Sequence, residues 1–172
     1  MEIATTAFSK LAAASRSLVL AWCVMLPGIV PAVAASDHSG TWHAVMAKSR
    51  WSSGDMPAGF TLAITLIFKD NRITYHSVNT TPGFSLPSLD FNASLDGTPT
   101  AIPGPFRFNQ ISVRRLDDST LEILELKDGD VIVGSFWTFG PDGQSFVRRG
   151  VGKGPDGRSK AFEEFFQREA AK

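Results

Sequence analysis

The feature that most constrains this chain is a series of apolar runs between Leu121 and Arg168, each broken by an Asp-Gly turn. Residues 121–126 lead into Lys127-Asp128-Gly129-Asp130, and residues 131–139 into Gly140-Pro141-Asp142-Gly143. Residues 144–151 lead into Gly154-Pro155-Asp156-Gly157, and residues 160–168 end the series. Asp-Gly between apolar runs signals a tight hairpin, because glycine accepts the positive φ that such a return demands. Three hairpins in succession predict an antiparallel meander.

The upstream sequence extends the pattern. Gly40-Thr41-Trp42 opens a strand over 41–46, and residues 60–68 alternate, with Leu62, Ile64, Leu66 and Phe68 on one face. Asp70-Asn71 turns the chain into 72–78, setting Phe68 opposite Ile73 and Leu66 opposite Tyr75. Further strands are expected over 88–95 and 106–115. The segment 98–105 carries three prolines and suits no interior strand. About nine strands at this spacing predict an all-β barrel or sandwich. Residues 160–171 also fit helical spacing, but the Pro-Asp-Gly turn before them favours a closing strand.

The turns fix an expected register downstream. Around Asp128-Gly129, Leu126 faces Val131 and Leu124 faces Val133. A three-residue loop at Pro141-Asp142-Gly143 sets Trp137 opposite Val147 and Ser135 opposite Arg149. The same geometry at Pro155-Asp156-Gly157 pairs Arg149 with Glu163 and Val147 with Phe165, and Arg148 with Glu164 on the reverse face. One face then carries Trp137, Phe139, Val147, Arg149, Glu163 and Phe165. The other carries Phe136, Phe146, Phe162 and Phe166. Both are apolar, which leaves open a barrel with a covered outer face or a stack of two sheets.

Composition bounds the partners. Seventeen basic residues balance seventeen acidic ones in 172, without a like-charged run, so nucleic acid is not an expected partner. The first 34 residues differ from the rest. Lys10 and Arg16 precede an apolar run over 18–30, and Ala32-Val33-Ala34 supplies a small-x-small cleavage pattern. The run falls short of the roughly 20 residues that span a bilayer. A signal peptide over 1–34 is therefore expected, followed by one domain over 35–172 in the periplasm or outside a bacterial cell, with no membrane span after cleavage. The single cysteine, Cys23, lies in that leader, so the domain must hold together by its core without disulfides.

Ser39-Gly40-Thr41-Trp42 and Ala47-Lys48-Ser49-Arg50-Trp51-Ser52 resemble the opening of small exported bacterial proteins described as lipocalin-like. The stretch from Ser112 to Glu122 and the later Pro-Asp-Gly turns are similar to their second half. The resemblance implies an up-and-down meander of about nine strands closed into a lipocalin-like barrel. It also implies that Trp42 closes the barrel base and meets an arginine of the last strand, for which Arg168 is the matching residue.

No residue set points to catalysis. His38, His43 and His76 share no metal-ligand spacing, and no Gly-x-Ser-x-Gly elbow occurs. Neither a catalytic residue nor a metal or other cofactor is assigned from sequence. The Arg149–Glu163 pair is the exception worth raising: among apolar neighbours it is either structural or an anchor for a ligand carboxylate or phosphate. The expected pocket lining is Tyr75, Trp137, Phe139, Val147, Arg149 and Phe165, with Trp42, Glu163 and Arg168 in structural roles. The expected activity is non-enzymatic binding of a small apolar or amphipathic ligand. The alternatives are a cell-envelope module that docks a protein through an exposed Phe-rich face, and an enzyme with its site at the barrel mouth.

Overall fold

A computed structural model describes residues 37–54, 56–85, 87–154 and 156–170. The expected signal peptide and its cleavage site lie outside the described residues. The described chain is all-β apart from one 3-10 turn, Met46–Lys48.

Nine long strands form the wall: β1 (Gly40–Ala44), β3 (Leu62–Lys69), β4 (Arg72–Asn79), β5 (Leu89–Ser94), β7 (Gln110–Arg115), β8 (Thr120–Lys127), β9 (Asp130–Phe139), β10 (Ser145–Lys153) and β11 (Ser159–Arg168). Two short strands, β2 (Arg50–Trp51) and β6 (Thr100–Ala101), extend it along β11 and β7. The spatial order is β5-β4-β3-β1-β11-β10-β9-β8-β7-β6, antiparallel throughout. The two ends meet where Asp96 bridges Arg114, Gly97 N–H donates to the Val113 carbonyl and Arg115 N–H to that of Leu95. The meander is thus a nearly closed barrel, not a stack of two sheets. Of the segment 160–171, residues up to Arg168 belong to strand β11, which pairs with β10 along its length.

Local sequence explains most of the turns. Asp70 and Asn71 both adopt positive φ, as do Asp128 and Gly129, the signature of two-residue turns whose twist matches that of the strands. Phe68 accordingly pairs with Ile73, and Leu66 with Tyr75. At Gly157, φ of 75° completes a three-residue loop, pairing Val147 with Phe165, Arg148 with Glu164 and Arg149 with Glu163.

Two registers differ from expectation. Between Glu125 and Leu126 the ladder slips by one residue, so Leu126 faces Val131 but Glu125, not Leu124, faces Val133. At Gly140-Pro141-Asp142-Gly143 the loop is one residue longer than at its twin: Gly140 N–H donates to the Ser145 carbonyl, whereas Gly154 N–H donates to that of Arg158, one position nearer. Trp137 therefore faces Arg148, and Phe136 faces Arg149. The cause is tertiary. The Gln144 carbonyl accepts Arg168 N–H and Gln167 Nε2, and the Arg168 guanidinium donates to the Gly143 carbonyl. β11 thereby holds Gln144 in its own ladder and out of that of β9.

This one-residue shift turns β10 and β11 over relative to the expected face. Phe146, Arg148, Glu164 and Phe166 point inward beside Trp137 and Phe139, while Val147, Arg149, Glu163 and Phe165 face outward. The base of the barrel is filled by aromatic rings. Phe146 stacks on Phe166 at 4.5 Å and on Trp137 at 5.2 Å, and Trp42 meets Phe146 edge-on at 5.1 Å. His38 is buried there too. Its ring stacks on Phe139 at 4.0 Å and its Nε2 donates to the Asp118 carbonyl at 2.8 Å.

The Arg168 guanidinium lies over the Trp42 ring, 5.1 Å from its centroid, and donates to the carbonyls of Asp37, Ser39 and Gly143. Gly40 makes this approach possible: a Cβ there would stand 2.9 Å from Arg168 Nε, and its φ of 148° is one that residues with side chains rarely adopt.

Candidate functional site

Strand register sorts the inward side chains of β8–β11 into levels. Nearest the mouth, Glu125, Val133, Gly152 and Lys160 lie side by side. Ile123, Ser135, Gly150 and Phe162 form the next level down. Below them come Leu121, Trp137, Arg148 and Glu164, and then the aromatic base, Phe139, Phe146 and Phe166. The two upper levels contain two glycines and a serine where the base has large rings. An interior cavity of about 460 Å³ occupies the space they leave, walled on the far side by Tyr75 and Phe91.

The glycines also let the β9–β10 ribbon bend. A Cβ on Gly150 would stand 2.4 Å from the Gly134 carbonyl oxygen and 2.6 Å from the Phe162 ring, so only glycine fits. Such glycines are where a sheet turns a barrel corner.

The cavity floor is an ion pair. Arg148 Nε donates to Glu164 Oε2 at 2.9 Å, its Nη2 contacts the same oxygen, and Trp51 Nε1 donates to Oε1 at 2.9 Å. Glu164 is 3% exposed. Burial alone would lower the Arg148 pKa, but the charges of Glu164, Tyr75 and Glu125 more than offset it and hold the guanidinium above its ordinary value. The Trp137, Phe162 and Phe166 rings surround it with centroids 5.5–5.9 Å away. Tyr75 stacks on Phe91 at 4.6 Å, and burial pushes its phenol pKa up despite Arg148 nearby. Burial likewise raises Glu125, against the pull of Arg148 and of Arg107, whose Nη2 lies 3.8 Å away.

Of the expected lining residues, Tyr75 and Trp137 do line the cavity, while Phe139 sits in the base cluster beneath it. Val147, Arg149 and Phe165 are corrections: the loop at Gly140–Ser145 puts them on the outer surface. There Arg149 and Arg50 both pair with Glu163, at 2.6 and 2.9 Å, and the Arg149 hydrogen bond holds that carboxyl below its usual range. The expected Phe-rich outer face is also dispersed, since Phe146 and Phe166 are fully buried and only Phe136 is largely exposed. It borders a shallow outer groove of about 700 Å³ with Val151 and Leu124.

Sequence reasoning missed Arg148, Glu164, Trp51 and Glu125 as cavity groups. The Arg148–Glu164 register was legible, but on the face taken as the reverse one. Trp51 carried no signal, because its hydrogen bond to Glu164 spans more than a hundred residues of chain. Among the described residues no three His, Cys, Asp or Glu side chains converge as a metal site, and no helix is long and apolar enough to cross a membrane.

No protein-family model matches the chain, and none of the curated proteins matches it. The cavity's chemistry is therefore the guide to its role.

Proposed function

We propose that this protein binds a small apolar or amphipathic molecule inside its barrel. The observation that carries the reading is the 460 Å³ cavity that Ser135, Gly150 and Gly152 leave above the Arg148–Glu164 floor. Its volume lies within the range of small-molecule sites, and its walls combine aromatic surface with charged groups at the floor and the mouth. The Arg168–Trp42 closure of the base supports the resemblance to lipocalin-like barrels. The leader's apolar run and Ala32-Val33-Ala34 support export to the periplasm or beyond.

Native mass spectrometry of protein purified from its own source tests the binding. A retained small molecule is expected, and Ser135→Leu, which fills the second level, is expected to expel it. No retained mass, together with no binding of a hydrophobic fluorescent probe, overturns the reading. Sequencing the N-terminus of that protein tests export: a start at Ala35 is expected, and an intact Met1 overturns it.

A second reading, docking of an envelope protein, is favoured by the outer groove, where Phe136 and Val151 are 49% and 53% exposed. It requires that Phe136→Lys abolish co-elution with a partner while leaving the bound small molecule in place.

A further inference from the structure

We propose that the cavity's guest is an amphipathic anion seated tail first, its carboxylate-, sulfate- or phosphate-type head held at the mouth by Lys153, Lys160 and Arg107. This rests on the interior cavity being the binding site, and adds the guest's charge and its direction of insertion.

The charges lining the cavity fall into two groups. On the floor, Arg148 and Glu164 neutralise each other, and the Trp51 indole donates to the carboxylate oxygen that Arg148 leaves free. An anionic head driven to this depth would meet a guanidinium already paired and a carboxylate of its own sign. Like charges brought together in a weakly polar space repel strongly. The floor therefore suits an apolar tail, and the Trp137 and Phe162 rings beside it supply the surface.

The mouth has the opposite character. Arg107, Lys153 and Lys160 line it, against one carboxylate at that level, Glu125. Arg107 balances Glu125 from 3.8 Å while Nη1 donates to the Lys153 carbonyl, so the arginine is strapped across the rim. Among the described residues neither Lys153 nor Lys160 forms an ion pair. Gly152 faces Lys160 across the ladder and leaves that part of the rim open, and Lys153, the residue after Gly152, lines the rim beside it. Two lysines without an ion-pair partner thus stand at the rim of an apolar throat whose walls focus their field. A neutral guest gains nothing from them and a cation is repelled. An anion gains charge-assisted hydrogen bonds from groups that need not leave any other partner.

Displacement of a neutral probe, N-phenylnaphthylamine, by dodecanoate, dodecanol and dodecylammonium at low salt is the test. Dodecanoate is expected to displace it at about one-tenth the concentration of the other two, a difference of one power of ten in Kd. Both lysines are exposed, so the Lys153→Gln/Lys160→Gln variant keeps its fold. In it, dodecanoate is expected to fall to the level of dodecanol while dodecanol is unchanged. Glu125→Gln, which removes the carboxylate at the mouth, is expected to widen the preference, and added salt to narrow it. If dodecanol or dodecylammonium matches dodecanoate, the assigned head group is overturned and cavity binding stands. A preference that survives the double substitution overturns the placement of the head at the mouth. If neither the probe nor any of the three compounds binds, the cavity reading itself fails and this inference falls with it.

Discussion

Arg148 and Glu164 show how costly a half-made polar contact becomes inside a barrel. Removing one member of a buried ion pair leaves the other charge uncompensated, a loss of about 3–5 kcal/mol, whereas replacing both with apolar groups of similar volume is often neutral. Arg148→Met is therefore expected to lower the unfolding free energy by that amount, and Arg148→Met/Glu164→Leu to recover most of it, as read by urea denaturation. Glu125 behaves differently, because burial raises its pKa and the pull of Arg148 and Arg107 does not offset it. A carboxyl raised in the folded state holds its proton more tightly there than in the unfolded chain. The stability this gives is complete below the ordinary glutamate range and is lost as pH climbs through the raised value. Glu125→Gln is thus expected to be more stable than the native protein at neutral pH, with the gain vanishing towards about pH 4. The Arg107 contact it gives up is long and partly exposed to solvent, and such contacts contribute little.

Two turns with the same Gly-Pro-Asp-Gly sequence close over different lengths, which marks the boundary between what neighbouring residues decide and what distant ones do. Turns at Asp70-Asn71 and Asp156-Gly157 follow from backbone preference, and the pairings they set are legible in the sequence. The Asp128-Gly129 turn sets Leu126 opposite Val131, but the slip at Glu125 displaces the next expected pair. The turn after Gly140 is not legible in this way, because Arg168 captures Gly143 and Gln144 from the far end of the domain. One residue of slippage there reverses which side of β10 meets the core, so the strand count could be foreseen while the aromatic base and most of the cavity lining could not. The bend at Gly150 belongs to the same scale. Gly150→Ala puts a methyl group against the Gly134 carbonyl and the Phe162 ring. It is expected to cost about 1–3 kcal/mol by overpacking, measured as a fall in the urea midpoint. Gly129→Ala meets nothing within 4 Å. Its cost is expected to be confined to the strain of its positive φ.

For the molecule as a whole, the barrel's seam is uneven. β8 to β11 are bound by long continuous ladders, whereas β5 meets β7 through a single bridge at Asp96 and a few flanking hydrogen bonds. Local opening follows the weakest cooperative unit. Hydrogen exchange is therefore expected to be fastest around residues 95–101 and slowest in β9 and β10, and uniform protection around the ring would refute this. The small residues at two positions have a longer reach. Gly150 is fixed by the bend, but Ser135 beside it is not, so a single change of codon there resizes the chamber without disturbing the wall. A lineage carrying this scaffold could trade one guest for another in small inherited steps while every strand stays where it is.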